Sequence, residues 1–166
     1  MFKKIIVIGC PGAGKSCFAR RLRDLTGIPL YYLDMLWHKP DKTNISKDEF
    51  DKRLEEITRG ESWIIDGNYK RTLNTRLAAC DTVFFLDYPT ELCLEGARKR
   101  IGTKREDMPW IEDSFDCEFE QYIKDFSKDN LPVIYELLSK HKDKNIFIFK
   151  GREQADTFLY ELEKRN

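Results

Sequence analysis

Residues 3–22 read KKIIVIGCPGAGKSCFARRL. Four β-branched residues, Ile5 to Ile8, lead into a loop holding Gly9, Gly12 and Gly14, and then into Lys15, Ser16 and a helix-forming run. A short unbroken apolar run is what a strand covered on both faces of a parallel sheet requires. Phe18, Leu22 and Leu25 recur at helical spacing and Gly27 supplies a stop, so a helix is predicted over Lys15–Leu25. Between strand and helix, GCPGAGKS (Gly9–Ser16) fits G-x-x-x-x-G-K-[ST] without a mismatch. Glycine tolerates the dihedrals that turn successive backbone amides toward a phosphate, and the helix N-terminus adds partial positive charge. The expected nucleotide site, a Walker A segment, comprises Gly9, Cys10, Pro11, Gly12, Ala13, Gly14, Lys15, Ser16 and Cys17. Lys15 would bridge the β- and γ-phosphates of ATP, and the Ser16 hydroxyl would hold Mg²⁺.

Outward from this unit, Leu30–Leu33, Trp63–Ile65, Val83–Leu86 and Ile146–Phe149 are four more short apolar runs. Helical patterns separate them. SKDEF at Ser46–Phe50 is a capping box in which Ser46 caps the amide near Glu49 and Glu49 reaches back. It opens a helix carrying Phe50, Leu54 and Ile57 that closes at Gly60. Another helix follows Pro89-Thr90 with Leu94, Ala97 and Ile101, and a last one follows Gly151 with Ala155, Phe158, Leu159 and Leu162. Phe115, Phe119, Tyr122, Ile123 and Phe126 form a long helical stretch, ended or kinked at Pro132 before Val133–Leu138 resumes. Strand–helix alternation predicts βαβ units with right-handed crossovers, and hence a three-layer α/β domain. At 166 residues the chain is read as one domain, 1–166.

The 29 basic and 29 acidic residues cancel, which gives no general pull toward nucleic acid or anionic membrane. Direct nucleic-acid binding is therefore not expected. No run resembles a signal peptide or a membrane span. Five cysteines, Cys10, Cys17, Cys80, Cys93 and Cys117, are odd in number and form no CxxC pair, as free thiols of a cytoplasmic protein would be. Cys10 stands beside a helix N-terminus, where a thiolate would be favoured, although a small loop residue is the plainer reading. Oligomeric state leaves no signal.

Two polar segments are longer than tight connections need, Met35–Ile45 and Gly102–Asp113. Both would emerge at the strand C-terminal edge, where open α/β sheets bind ligands. FFLDYP (Phe84–Pro89) does not qualify as a guanine-recognition sequence, and motor ATPases need a longer chain. The pattern suits a kinase of small molecules.

WIIDGNYKRT (Trp63–Thr72) resembles the D-G-F-P-R-T stretch of adenylate kinase-like nucleoside monophosphate kinases. It is more similar still to the D-G-N-Y segment of small P-loop proteins labelled "topology modulation protein". YYLD (Tyr31–Asp34), DTVFFLDYP (Asp81–Pro89), RKR (Arg98–Arg100) and REDM (Arg105–Met108) fit that group in order. The resemblance implies a P-loop NTPase fold with a five-stranded parallel sheet of order 2-3-1-4-5. It also implies an acceptor-binding segment at about 34–62 and a short lid at about 102–113. The implied activity is phosphoryl transfer from ATP, with Mg²⁺, to a small acceptor, either a nucleotide, a nucleoside or another alcohol.

Asp66 then stands where a carboxylate holds a water on Mg²⁺, although Asp before Gly is also turn chemistry. Asp34 stands where an acid orients or deprotonates the acceptor in shikimate kinase-like proteins, or caps the following loop. Lys15, Arg100 and Arg105 would spread transition-state charge, with Ser16 and Asp66 on the metal. The acceptor would lie among Asp34, Trp37, Asn68 and Arg71, with Trp37 and Tyr69 either stacking on a base or packing.

Three departures stand out. Three residues separate Gly67 from Arg71 where the family pattern has two, which leaves Lys70 as a competitor. Related chains place arginines four apart on the helix entering the lid, and here Arg100 is partnered by Gly96. Arg98 would point about 160° from that face. Lys124 and Lys128 stand where nucleotide kinases supply arginines, giving charge without a bidentate fork. An ATP-binding regulatory or DNA-associated protein, or a kinase fold that binds nucleotide without transferring phosphate, therefore stays open.

Overall fold

The computed structural model describes residues 2–165. The elements, in chain order, are β1 (Lys4–Gly9), α1 (Lys15–Thr26), β2 (Leu30–Tyr32), α2 (Leu33–Trp37), α3 (Lys47–Thr58), β3 (Trp63–Asp66), α4 (Lys70–Ala79), β4 (Thr82–Leu86), α5 (Thr90–Lys99), α6 (Cys117–Asp129), α7 (Leu131–Lys140), β5 (Asn145–Phe149) and α8 (Arg152–Glu163). The strands form one parallel sheet of order β2-β3-β1-β4-β5 with helices on both sides, the expected topology. β1 is central, and Ile5, Ile6, Val7 and Ile8 are completely buried. On the far edge Phe147 and Phe149 of β5 stack on Phe84, and Phe158 of α8 closes over them. Register puts Asp66 beside both Val7 and Tyr32, so the ends of β1, β2 and β3 meet at one edge of the sheet.

Local signals produced their elements with some changes. Gly27 ends α1 in the left-handed conformation (φ 71°), its amide donating to the Arg23 carbonyl. Ser46 Oγ accepts from the Glu49 amide (3.1 Å), but the box is only half formed, because the Glu49 carboxylate accepts from Arg53 instead. α5 stops at Lys99, short of Ile101, and Arg100 caps it. The aromatic stretch is divided: α6 ends at Asp129, capped by Asn130, and α7 starts with Pro132 in its first turn, where a missing amide hydrogen costs nothing. The polar segment after β2 opens with the short α2. α4 escaped the sequence reading because Arg76 interrupts the apolar stripe of Leu73 and Leu77.

Gly96 has a packing explanation. A Cβ there would lie 2.0 Å from the Gly12 carbonyl oxygen, and a Cβ on Gly12 would lie 1.9 Å from the Cys93 carbonyl oxygen. The glycine loop and α5 touch backbone to backbone, which leaves no room for an arginine at position 96.

Candidate active site

A cleft of about 470 Å³ opens at the carboxyl edge of β1, β2 and β3. Pro11, Lys15 and Ser16 line one wall. The glycine loop turns through Gly12 (φ 83°) and Gly14 (φ 92°), and the Ala13 amide donates to the Cys10 carbonyl. Lys15 Nζ also donates to that carbonyl (3.3 Å), folded over its own loop.

Ser16 Oγ donates to Asp66 Oδ2 at 2.5 Å. The sheet buries Asp66, whose second oxygen, Oδ1, has no hydrogen-bond partner. Burial pushes the Asp66 carboxyl up to about 6, against the opposing pull of Lys15 and Ser16. A buried acceptor without a donor is costly, so this oxygen is an incomplete site (among the described residues).

The loop after β3 is fixed on three sides. Asn68 spends both ends of its amide on the Gly9 backbone, accepting from N–H at 3.0 Å and donating to C=O at 2.7 Å. Asn68, which the sequence reading set against the acceptor, thus holds the two loops in register with both ends of its amide engaged. Beneath, the fully buried Arg76 donates to the carbonyls of Gly67 (2.9 Å), Asn68 and Tyr69. Burial lowers that guanidinium to about 10, still cationic at neutral pH. In front, Tyr69, in the left-handed region (φ 35°), donates from Oη to Asp34 Oδ1 at 2.7 Å. Burial, reinforced by the Asp34 charge, raises the Tyr69 phenol, so it stays a donor. His38 sits 4.0 Å from the same carboxylate and meets Trp110 edge-on.

The segment 102–113 folds over the cleft and is tied at its base, the Gly102 amide donating to the Glu112 carbonyl (2.6 Å). Gly102 has φ 75°. The Glu112 carboxylate lies between Arg100 (3.3 Å) and Arg105 (3.4 Å), but Arg100 Nε and Arg105 Nη2 lack well-formed hydrogen bonds. Burial, then the neighbouring Arg105, lowers the Arg100 guanidinium. Arg105 also pairs with Asp107, and Glu106 accepts from Arg23 of α1. Arg105 is therefore compensated by Asp107 and Glu112 of its own segment.

Of the residues singled out by sequence, Pro11, Lys15, Ser16, Asp34, Asp66, Asn68 and Arg100 line the cleft together. Trp37 and Arg71 do not. Trp37 packs edge-on against Phe50, and Arg71 forks onto Asp51 (2.6 and 2.8 Å) beside a separate hollow. Arg105 lies behind Glu112, outside the cleft lining. The Cys10 thiol is buried against Cys93, and their hydrogen bond with burial raises it far above the ordinary range, the reverse of thiolate stabilisation. Cys17 is exposed and borders a hollow with Arg21, Tyr88 and Arg152. Arg76, Glu112, His38 and Trp110 were missed. Only Arg76, a charge on an apolar helical stripe, left a readable signal.

No protein-family model matches this chain. Over 92 residues it is 32% identical to the adenylate kinase of Thermotoga maritima, a match covering 54% of this chain and 41% of that one. The adenylate kinase of Thermotoga neapolitana matches over the same length at 30%. The match thus spans about two fifths of the length of these curated relatives. Among solved structures, shikimate kinase from Acinetobacter baumannii in complex with shikimate superposes with TM-score 0.62 at 18% identity, covering 100% of this chain and 96% of that one. Shikimate kinase from Bacteroides thetaiotaomicron gives 0.60 at 14%, covering 99% and 98%. The fold is that of the P-loop kinases, and the adenylate kinase relatives support a P-loop kinase-like protein.

Proposed function

We propose that this chain is an ATP- and Mg²⁺-dependent phosphotransferase acting on a small acceptor, working in the cytoplasm. The observation that carries the reading is the Ser16–Asp66 pair beside Lys15, with Asp66 Oδ1 buried and partnerless. That donor set suits Mg²⁺: a hydroxyl and one carboxylate, few protein ligands, with room for water and phosphate oxygens. Bound Mg²⁺ would neutralise charge on the β- and γ-phosphates. The likeness to proteins labelled topology modulation protein rests on the sequence motifs alone.

In this reading the amides of Gly12–Ser16 cradle the β-phosphate, and Lys15 leaves the Cys10 carbonyl to reach the β- and γ-phosphates. Arg100 exchanges Glu112 for the transferring phosphoryl group. The segment 102–113 excludes water and brings Arg105 toward the phosphates once Glu112 is displaced. Asp34, held in place by Tyr69, orients the acceptor hydroxyl and takes its proton as the oxygen–phosphorus bond forms.

Binding without transfer is the second reading, favoured by the grip of Glu112 on Arg100 and Arg105. One assay separates the two: ADP release from Mg·ATP against a panel of nucleotides, nucleosides and small alcohols. Acceptor-dependent ADP formation, lost in Lys15→Ala, supports transfer. A folded, ATP-binding protein that releases no ADP with any member refutes it.

A further inference from the structure

We infer that the acceptor is an uncharged hydroxyl compound with a flat ring, of which a nucleoside is the test case, rather than a phosphorylated or carboxylated one. The inference rests on the phosphotransferase reading and deepens it. Lys15 and Arg100, both within electrostatic reach of Cys10 in the glycine loop, are taken by the phosphates of ATP. The charged groups left for an acceptor are Asp34, Asp107 and Glu112 against Lys70 and His38. Lys70 Nζ rests on the Asp129 carbonyl at the rim, and His38 is bonded to Asn44.

Among the described residues, no further guanidinium is open to a second anion. Arg71 is forked onto Asp51 outside the cleft. Arg76 is completely buried, with its donors spent on three carbonyls and Thr72. Arg105, paired with Asp107 and Glu112 before ATP binds, goes to the phosphates of ATP in the reading above, and Arg20 faces Glu106 and Asp107. An anionic acceptor would thus approach the Asp34 carboxylate with only Lys70, at the rim, as compensating charge, and like-charge repulsion penalises that approach. Apart from Asn68, whose amide is spent on Gly9, and Asn130, the remaining lining is mostly apolar or aromatic, including Leu73, Trp110, Tyr122, Phe126 and Ile134. Such walls accept a ring face and offer nothing to a phosphate.

Asp34 keeps Oδ1 on Tyr69, and its side chain is 41% exposed, which leaves Oδ2 to the ligand. In the step, the acceptor oxygen bonds to the γ-phosphorus and the bond from that phosphorus to the bridging oxygen breaks. The hydroxyl proton passes to Asp34, and ADP leaves with the bridging oxygen.

The test measures initial rates of labelled γ-phosphoryl transfer to adenosine, guanosine, cytidine and thymidine, to their 5′-monophosphates and to shikimate. At least one nucleoside should exceed its own monophosphate and shikimate in kcat/KM by about tenfold or more, the scale of one uncompensated like-charge contact. Asp34→Asn should lower kcat and also shrink that preference by about tenfold, because it removes the repelling charge. Preferential use of a monophosphate or of shikimate would overturn the inference, as would an unchanged preference in Asp34→Asn. Failure of every nucleoside in a protein that still binds Mg·ATP overturns it while leaving the nucleotide site intact. Absence of Mg·ATP binding by calorimetry would remove the reading beneath it.

Discussion

Replacing Asn68 with alanine removes a side chain that ties the loop after β3 to the end of β1. Two hydrogen bonds vanish, at 3.0 and 2.7 Å, and the groups left behind are the N–H and C=O of Gly9, a buried residue. A buried polar group left unpaired costs about 1–3 kcal/mol, and water from the adjoining cleft relieves part of that. The expected loss for Asn68→Ala is therefore about 2–4 kcal/mol. Asn68→Asp should be at least as damaging, because a carboxylate can accept from the Gly9 amide but presents only repulsion to its carbonyl. Both changes should also weaken Mg·ATP binding, since Gly9 begins the glycine loop and Asp66 begins the loop that Asn68 anchors. Urea unfolding without nucleotide gives the stability term, and calorimetric titration of the folded variants gives the affinity. A midpoint for Asn68→Ala within about 0.5 kcal/mol of wild type, at unchanged slope, would refute the latch.

Further outcomes follow from the same contacts. Gly96→Ala drives a methyl into the Gly12 carbonyl at 2.0 Å, backbone on both sides, and should cost about 1–3 kcal/mol or more together with ATP affinity. Unchanged melting and binding would show that the loop and α5 need no such contact. Asp66 carries a carboxyl raised from 3.8 to about 6, so its contribution to stability is full below about 3.8 and is lost as pH rises through about 6. Asp66→Asn should flatten that decline and make the nucleotide-free protein more stable than wild type at pH 7, while weakening Mg²⁺ dependence. A decline of the same slope in the variant would contradict it. Hydrogen exchange across residues 98–115 should slow when a non-hydrolysable ATP analogue binds, as the Glu112 contacts give way to phosphate. Protection confined to residues 9–16 would mean that the segment is no lid.

The strands and the glycine loop were legible because each depends on short-range pattern, continuous apolar runs, glycine spacing and a following lysine, whereas the sheet order came from the family resemblance. Ser46 and Gly27 likewise announced a cap and a stop that the structure contains. Contacts between segments distant in sequence were not legible. Nothing in the order of residues says that Asn68 bonds Gly9, fifty-nine positions away, or that Arg71 turns to Asp51 rather than into the cleft. Gly96 reads as a missing arginine in one dimension and as a backbone contact in three. Arg76 hid α4 because a charged residue inside an apolar stripe argues against burial until its acceptor carbonyls are in place. Glu112 stands within the segment 102–113 as one acid among several, and only folding sets it between two guanidiniums.

The central claim is that the glycine loop holds the phosphates of ATP through Lys15 with Mg²⁺ at Ser16 and Asp66. Calorimetric titration of Mg·ATP into wild type and Lys15→Ala tests it most directly, with unfolding curves run alongside. Loss of a charge-assisted contact of about 1.5–3 kcal/mol corresponds to a drop of roughly tenfold to a hundredfold in affinity. The account expects that drop in a variant as stable as wild type, because Lys15 lies outside the hydrophobic core. Equal Mg·ATP affinity in the folded variant would contradict it.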